Sequence, residues 1–211
     1  SCQPTVGIYN TLLSGLSQGA HRSIVSATEA EDTLESMKRL ARRKGWHTKP
    51  NTESFMHVLT AFARTQHHTA GVRAEKVLRK MILYHHEQIE LYREENGKEY
   101  DLVNVDNNVR RVVAPDARAY TAVIQAYSSW GTWDQALRLL TEFLESTDPH
   151  LIPDAYIFAA TINAFARKAA KATAPGARRK AAKASEDILK LLIDHLLSQG
   201  TQDKSLLTSS I

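Results

Sequence analysis

Nine histidines and a single cysteine are the residues from which metal or nucleophilic chemistry would have to be assembled. His86-Glu87 opens like the H-E-x-x-H helix of zinc proteases, in which two imidazoles one turn apart hold the metal, but the place of the second histidine is Glu90. A zinc deaminase needs H-x-E together with C-x-x-C, which one cysteine cannot supply. The chain has no P-loop, no G-x-S-x-G turn and no clustered aspartates like those of a metallonuclease. Cys2 lies beside no base that would activate it, and a lone cysteine also excludes an internal disulfide framework. These residues describe a binding module rather than an enzyme, with neither metal nor cofactor.

The chemistry the sequence does offer is recognition of polyanions. From Arg167 to Ala184 it reads RKAAKATAPGARRKAAKA, seven Lys or Arg with no acid, among them Lys171, Arg178, Arg179 and Lys180. Such a run neutralises phosphates and makes binding salt-dependent; it reads equally well as a solvated insert between helices. A second cluster, Lys38, Arg39, Arg42, Arg43 and Lys44, closes a helical segment, where cations also complement the helix dipole. Over the whole chain 27 basic side chains oppose 23 acidic ones, net +4, a mild excess that permits a polyanionic partner without demanding one. No apolar run reaches the ~18 residues needed to cross a bilayer. The longest, Ile188 to Leu197, is broken by Lys190, Asp194 and His195.

The elements that must position these residues come from a repeat. Four segments align without gaps: PTVGIYNTLLSGLSQ from Pro4, PNTESFMHVLTAFAR from Pro50, PDARAYTAVIQAYSS from Pro115 and PDAYIFAATINAFAR from Pro153. After each proline stands a short polar residue, Thr5, Asn51, Asp116 or Asp154, able to cap the free amides of a helix start. An aromatic follows, and then, three, four and seven places on, mostly apolar side chains. The stripes are Tyr9, Leu12, Leu13, Leu16; Phe55, Val58, Leu59, Phe62; Tyr120, Val123, Ile124, Tyr127; and Phe158, Thr161, Ile162, Phe165. That spacing builds one buried stripe on an α-helix. A small residue, Gly15, Ala61, Ala126 or Ala164, precedes the last stripe position and admits a neighbouring helix at close range.

A second amphipathic segment lies behind each first one, beginning at Ala30, Ala74, Ala136 and Ser185. Its stripe continues at Thr33, Leu34, Met37; Val77, Leu78, Met81; Leu139, Leu140, Phe143; and Ile188, Leu189, Leu192. The unit is a helical hairpin that cannot bury both stripes alone, so copies must stack. The expected fold is all-α, an α-α superhelix or solenoid of about four helical hairpins, with units 1–49, 50–114, 115–152 and 153–211. Only 9 Gly and 6 Pro, both below the roughly 7% and 5% of an average chain, agree with long helices. The period is uneven, and the extra residues fall outside the stripes. Expected insertions are the turn Gly19 to Ser26, the segment Ala41 to Lys49, a polar loop from Asn96 to Val113 and the basic stretch Ala169 to Ala184. The sequence has no initiating Met, and a repeat unit opens within five residues of its start, so it reads as an excerpt of a longer protein.

This pattern resembles the pentatricopeptide repeat, most closely in PTVGIYNTLLSGLSQ and in the third unit, PDARAYTAVIQAYSSWGTWDQALRLLTEFLES. The rival tetratricopeptide unit carries Gly or Ala directly after the first member of the apolar pair, where this chain has Leu13, Leu59, Ile124 and Ile162. The resemblance implies binding of single-stranded RNA along the first helices, about one base per repeat. It implies base reading by the residue after each first-helix aromatic, paired with the residue after the next opening proline. Carried over, the pairs are Asn10 with Asn51, Met56 with Asp116 and Thr121 with Asp154, with Ala159 in the fourth unit. Asn with Asn suggests a pyrimidine, cytosine favoured, and Thr with Asp suggests guanine, whereas Met56 and Ala159 lack a polar group.

Bases are sandwiched, in the family, by an aliphatic residue two places after the cap. Here that place holds Gly7, Glu53, Arg118 and Tyr156, of which Arg118 and Tyr156 are able to stack. Arg64 and Arg167 close first helices and are expected at the groove edge. The resemblance further implies residence in a mitochondrion or plastid and work in RNA processing, stability or translation. The alternative is a solenoid scaffold for protein partners, for example within an organellar ribosome or RNA-processing complex.

Overall fold

The computed structural model describes residues 4–21, 23–44, 48–96, 113–146, 148, 151–173 and 175–208. Among these residues the secondary structure is helical, in eight helices: α1 Val6–Gly19, α2 Ile24–Lys44, α3 Thr52–Arg64, α4 Ala70–Asn96, α5 Ala117–Trp130, α6 Trp133–Glu145, α7 Ala155–Lys171 and α8 Pro175–Thr208. Each odd-numbered helix pairs with the even one that follows it. The odd helices also pack in a row, α1 on α3, α3 on α5 and α5 on α7, while α2, α4 and α6 each lean on the next odd helix. The expected solenoid of helical hairpins is therefore the fold.

The helix starts are chemically specified. Asn51 Oδ1 accepts from the Ser54 amide at 2.9 Å, and Ser54 Oγ accepts in return from the Asn51 amide at 3.2 Å, a reciprocal capping box. The Asp116 and Asp154 carboxylates accept from the amides of Ala119 and Ile157, both at 3.0 Å. Thr5 corrects the expectation of four side-chain caps: it occupies the cap position of α1, but its hydroxyl makes no cap hydrogen bond.

The stripes form one continuous core, with Phe55, Phe62, Phe143, Phe158 and Phe165 each no more than 1% exposed. Each such ring contributes roughly 1.5–3 kcal/mol by leaving water. Two stripe positions depart from the expectation of burial, and the polar member of the α7 stripe keeps to it. Leu12 is 51% exposed and Leu189 46%, and Thr161 is buried with its hydroxyl donating to the Ile157 carbonyl at 2.9 Å. Close approach is concentrated at one glycine: a Cβ on Gly71 of α4 would lie 2.2 Å from the Tyr127 ring of α5.

Extent differs from expectation where the stripe is not what ends a helix. α2 starts at Ile24, inside the expected turn, and runs to Lys44, inside the expected segment after it. The basic stretch Ala169 to Ala184 is largely helix, because α7 continues to Lys171 and α8 starts at Pro175. Proline suits a first helical position, where its missing amide hydrogen has no acceptor to lose, and alanine sustains the turns that follow. Of the expected loop from Asn96 to Val113, residues 97–112 lie outside the described residues. Its far end is tied down: the Val113 amide donates to Gln88 Oε1 at 2.7 Å, and its carbonyl lies 2.8 Å from His85 Nδ1.

Charged side chains join the even helices across the outer layer. Arg73 of α4 donates to Glu31 of α2 at 2.8 Å, and Lys80 to Glu35 at 2.7 Å. Further along, Glu75 of α4 accepts from Arg138 of α6 and from the Tyr127 hydroxyl of α5, both at 2.7 Å, while Arg79 reaches Glu142 at 2.6 Å. Burial alone would raise the Glu75 carboxyl, but its hydrogen bonds from Tyr127, Arg138 and Arg79 outweigh that and hold it below the usual carboxylate range.

Candidate nucleic-acid interface

Capping at the odd helices fixes where the polar residues of the first turns stand. Tyr120 anchors this turn of α5, its ring edge-on to Phe143 at 5.1 Å and its hydroxyl pushed up to about 12 by burial. The next residue, Thr121, faces a cavity of about 240 Å³ between α3, α5 and α7, walled by Met56, Arg118, Thr121, Gln125, Asp154 and Tyr156. Thr121 is only 7% exposed, and its Oγ1 has no hydrogen-bond partner among the described residues. A buried hydroxyl without a partner costs about 1–3 kcal/mol. Asp154 commits Oδ1 to the α7 cap. Tyr156 is 74% exposed at the rim. Arg118, also exposed there, points its guanidinium at Asp116 Oδ2, 2.7 Å away.

The other residues expected to read bases are placed differently. Asn10 and Asn51 do meet, Nδ2 donating to Oδ1 at 3.2 Å, but the same Nδ2 donates to Glu53 at 2.8 Å and Asn10 Oδ1 accepts from Ser54 Oγ at 2.7 Å. Asn10 is thus 7% exposed inside a closed network. Met56 stands on the wall of the Thr121 cavity, and its partner Asp116 is taken up by Arg118 and by the cap. Ala159 is exposed on α7 and brings no polar group.

The basic residues gather at the opposite ends of the odd helices, about 20 Å from the caps at 1.5 Å per residue over the 14 residues of α5. Arg64, exposed at the end of α3, donates to the Ser17 carbonyl of α1 at 3.3 Å. Arg167 is exposed on the last turns of α7. Lys171 lies over the Trp130 ring, 5.5 Å from its centroid, and Arg178 donates to the Ala172 carbonyl at 2.8 Å. Arg179 and Lys180 are exposed on α8.

Two features escaped sequence reasoning. Gln125, one helical turn beyond Thr121, joins the cavity wall, as Thr60 does one turn beyond Met56; the i, i+4 spacing was the available signal. Trp130, half exposed between His68 and Lys171, closes α5 and sits outside every stripe. Among the described residues no group of His, Cys, Asp and Glu is arranged to hold a metal ion, and no helix is long and apolar enough to cross a membrane.

Residues 118–146, which span α5 and α6 and carry Arg118 and Thr121, match the family model of the PPR repeat. No curated protein matches the chain. A PPR repeat points to RNA binding in general and to a module that is generally not catalytic, and proteins of this kind are typically organellar. That match lies on one hairpin of a stack that is helical among the described residues, and the fold is that of a helical-hairpin solenoid of the PPR type, with one PPR repeat matched at residues 118–146.

Proposed function

We propose that the chain binds single-stranded RNA with a sequence preference set mainly at the α5–α7 cavity, as part of RNA processing, stability or translation in a mitochondrion or plastid. The observation that carries the reading is Thr121: a residue of the cavity wall, within the matched repeat, whose buried hydroxyl has no partner among the described residues, with Asp154 on the same wall. A hydroxyl and a carboxylate side by side distinguish donor from acceptor edges of an unstacked base, with guanine the base of choice. Tyr156 and Arg118 at the rim supply stacking, worth roughly 1–3 kcal/mol for an aromatic. Lys171, Arg178, Arg179 and Lys180 serve the phosphates.

Selection from a randomised single-stranded RNA pool tests this directly. Thr121→Asn shifts the selected base at one position from guanine toward a pyrimidine by about 1 kcal/mol. Replacing the four basic residues by Ala weakens binding to every sequence and flattens its salt dependence. Unchanged selection by the first variant together with unchanged affinity of the second would remove both parts of the proposal. A second reading, a scaffold for protein partners, draws on a different place, the apolar side chains Ile8 and Leu12 exposed on α1.

A further inference from the structure

The face of the odd helices that carries Thr121 is graded along its length. Residues four apart share a helix face and lie about 6 Å from each other along it, so the first-turn row of Asn10, Met56, Thr121 and Ala159 is followed by a second row and a third. The second row is Ser14, Thr60, Gln125 and Asn163, polar and uncharged in every helix. The third is Gln18, Arg64, Ser129 and Arg167, with two cations and no acid. Carboxylates stand at the other end, where Glu53, Asp116 and Asp154 belong to the caps and first turns. Arg118, the cation at that end, is paired with Asp116 at 2.7 Å.

This gradient orients a nucleotide. Its phosphate is repelled from the cap end and drawn to the third row, while its base edge meets the unpartnered buried hydroxyl of Thr121 in the first. The sugar, which joins base to phosphate, then falls at the second row.

Thr60 of α3 and Gln125 of α5 are the second-row residues that share the cavity wall with Thr121. Neither side chain has a hydrogen-bond partner among the described residues. For a hydroxyl on these helices that is uncommon: Thr11, Ser129 and Thr161 each donate to the carbonyl four residues back, at 2.9–3.0 Å, and Thr60 makes no such bond. Gln125 is exposed and carries both an amide donor and a carbonyl acceptor. The two side chains therefore offer donors and acceptors from two helices to a group that is itself both. A phosphate oxygen only accepts, and the cations one turn on serve it better than a row that has none. The ribose 2′-hydroxyl both donates and accepts, and it is what separates RNA from DNA at a given site.

We propose that Thr60 and Gln125 hold the ribose of the nucleotide bound at this cavity through its 2′-hydroxyl, so that the chain takes RNA in preference to DNA of the same sequence. The inference rests on single-stranded RNA binding at the cavity and adds to it the contact that selects the sugar. Base choice belongs to Thr121 and sugar choice to the turn below it, so the two preferences are separable.

Anisotropy titrations of the chain against three randomised single-stranded pools of one length test this: RNA, DNA, and RNA methylated at every 2′-oxygen. RNA is expected to bind about tenfold more tightly than either of the others, the scale of two net hydrogen bonds, because DNA lacks the hydroxyl and the methylated pool lacks its proton. Thr60→Val combined with Gln125→Leu lowers RNA affinity about tenfold and leaves DNA affinity unchanged, so the preference collapses. Thr60 is half-buried and Gln125 exposed, and circular dichroism checks that helix content is kept. The base selected from the RNA pool stays the same in this variant as in the wild type. A wild-type chain that binds RNA and DNA alike, with guanine still selected from the RNA pool, overturns the sugar contact and leaves base reading at Thr121 standing. A double variant that keeps the RNA preference overturns it too, and so does one that loses affinity for both pools equally, which is the mark of a structural or phosphate-facing role. Binding to none of the pools removes RNA recognition itself, and the sugar contact with it.

Discussion

Thr121 and Asn10 occupy equivalent places on their helices, are equally buried at 7%, and have opposite prospects. Asn10 satisfies its amide within the protein, through Asn51, Glu53 and Ser54, whereas the Thr121 hydroxyl is buried with no partner among the described residues. Replacing an unpartnered buried hydroxyl by a methyl group of the same shape removes a desolvation cost and leaves packing intact. Thr121→Val is therefore expected to raise the urea midpoint of the RNA-free chain, by up to about 1 kcal/mol, while lowering its affinity for RNA. A variant that is less stable and binds RNA equally well would show the hydroxyl to be structural. The sequence supplied both residues with the same expected role; what separates them is whether a neighbouring helix start presents acceptors within reach. Glu53 and Ser54 do so for Asn10, and no spacing rule within a single helix discloses it. Gly71 is a second case, because only the close approach of the Tyr127 ring gives that glycine its purpose. Gly71→Ala should cost about 1–3 kcal/mol, the scale of overpacking, although helix propensity alone would favour alanine. A thermal melt in which Gly71→Ala is neutral or stabilised would mean that the Tyr127 ring swings clear.

Caps and stripes, the element-scale signals, deliver the helices unequally. Asn51 holds a reciprocal capping box and Thr5 no cap bond, although both stand one place after an opening proline. Asn51→Ala is expected to cost about 1 kcal/mol, within the 0.5–2 range of lost caps, and Thr5→Ala next to nothing. Equal losses in chemical denaturation would remove the distinction. The stripes placed all eight helices because burial of a face every 3.6 residues is what the stack requires of each. They did not give helix lengths. α8 starts ten residues before Ser185, where its stripe begins, since its first turn rests on alanine propensity and on Pro175, and only small residues, Ala181 and Ala184, reach the core before the stripe. A stripe reports which residues are buried, and a helix that projects beyond its neighbour keeps its backbone hydrogen bonds without any stripe at all.

For the molecule as a whole, the outer layer of charge decides how the stack responds to acid. Glu35 and Glu75 lie on α2 and α4 and bind cations on α4 and α6, so two carboxylates tie three even-numbered helices together. Burial opposes ionisation of both, but hydrogen bonds and nearby cations, Lys80 for Glu35, and Tyr127, Arg138 and Arg79 for Glu75, hold each below its ordinary value of 4.5. A carboxyl lowered in the folded state stabilises it fully above the unfolded value and stops doing so as pH falls through the folded one. Stability measured by urea titration should accordingly be flat near neutrality and fall below about pH 4.5. Glu75 is the stronger contributor because its side chain is 17% exposed against 37% for Glu35, and solvent screens the latter. Glu75→Gln is expected to cost about 1.5–3 kcal/mol at pH 7, the range for hydrogen bonds to charged groups, and to lose that deficit progressively as pH falls below 4.5 and the wild-type carboxyl takes up its proton. Parallel pH profiles for the two proteins would place the acid sensitivity elsewhere, and added salt that left the difference untouched at pH 7 would confine Glu75 to its contact with Tyr127 rather than with Arg79 and Arg138, both of which solvent reaches.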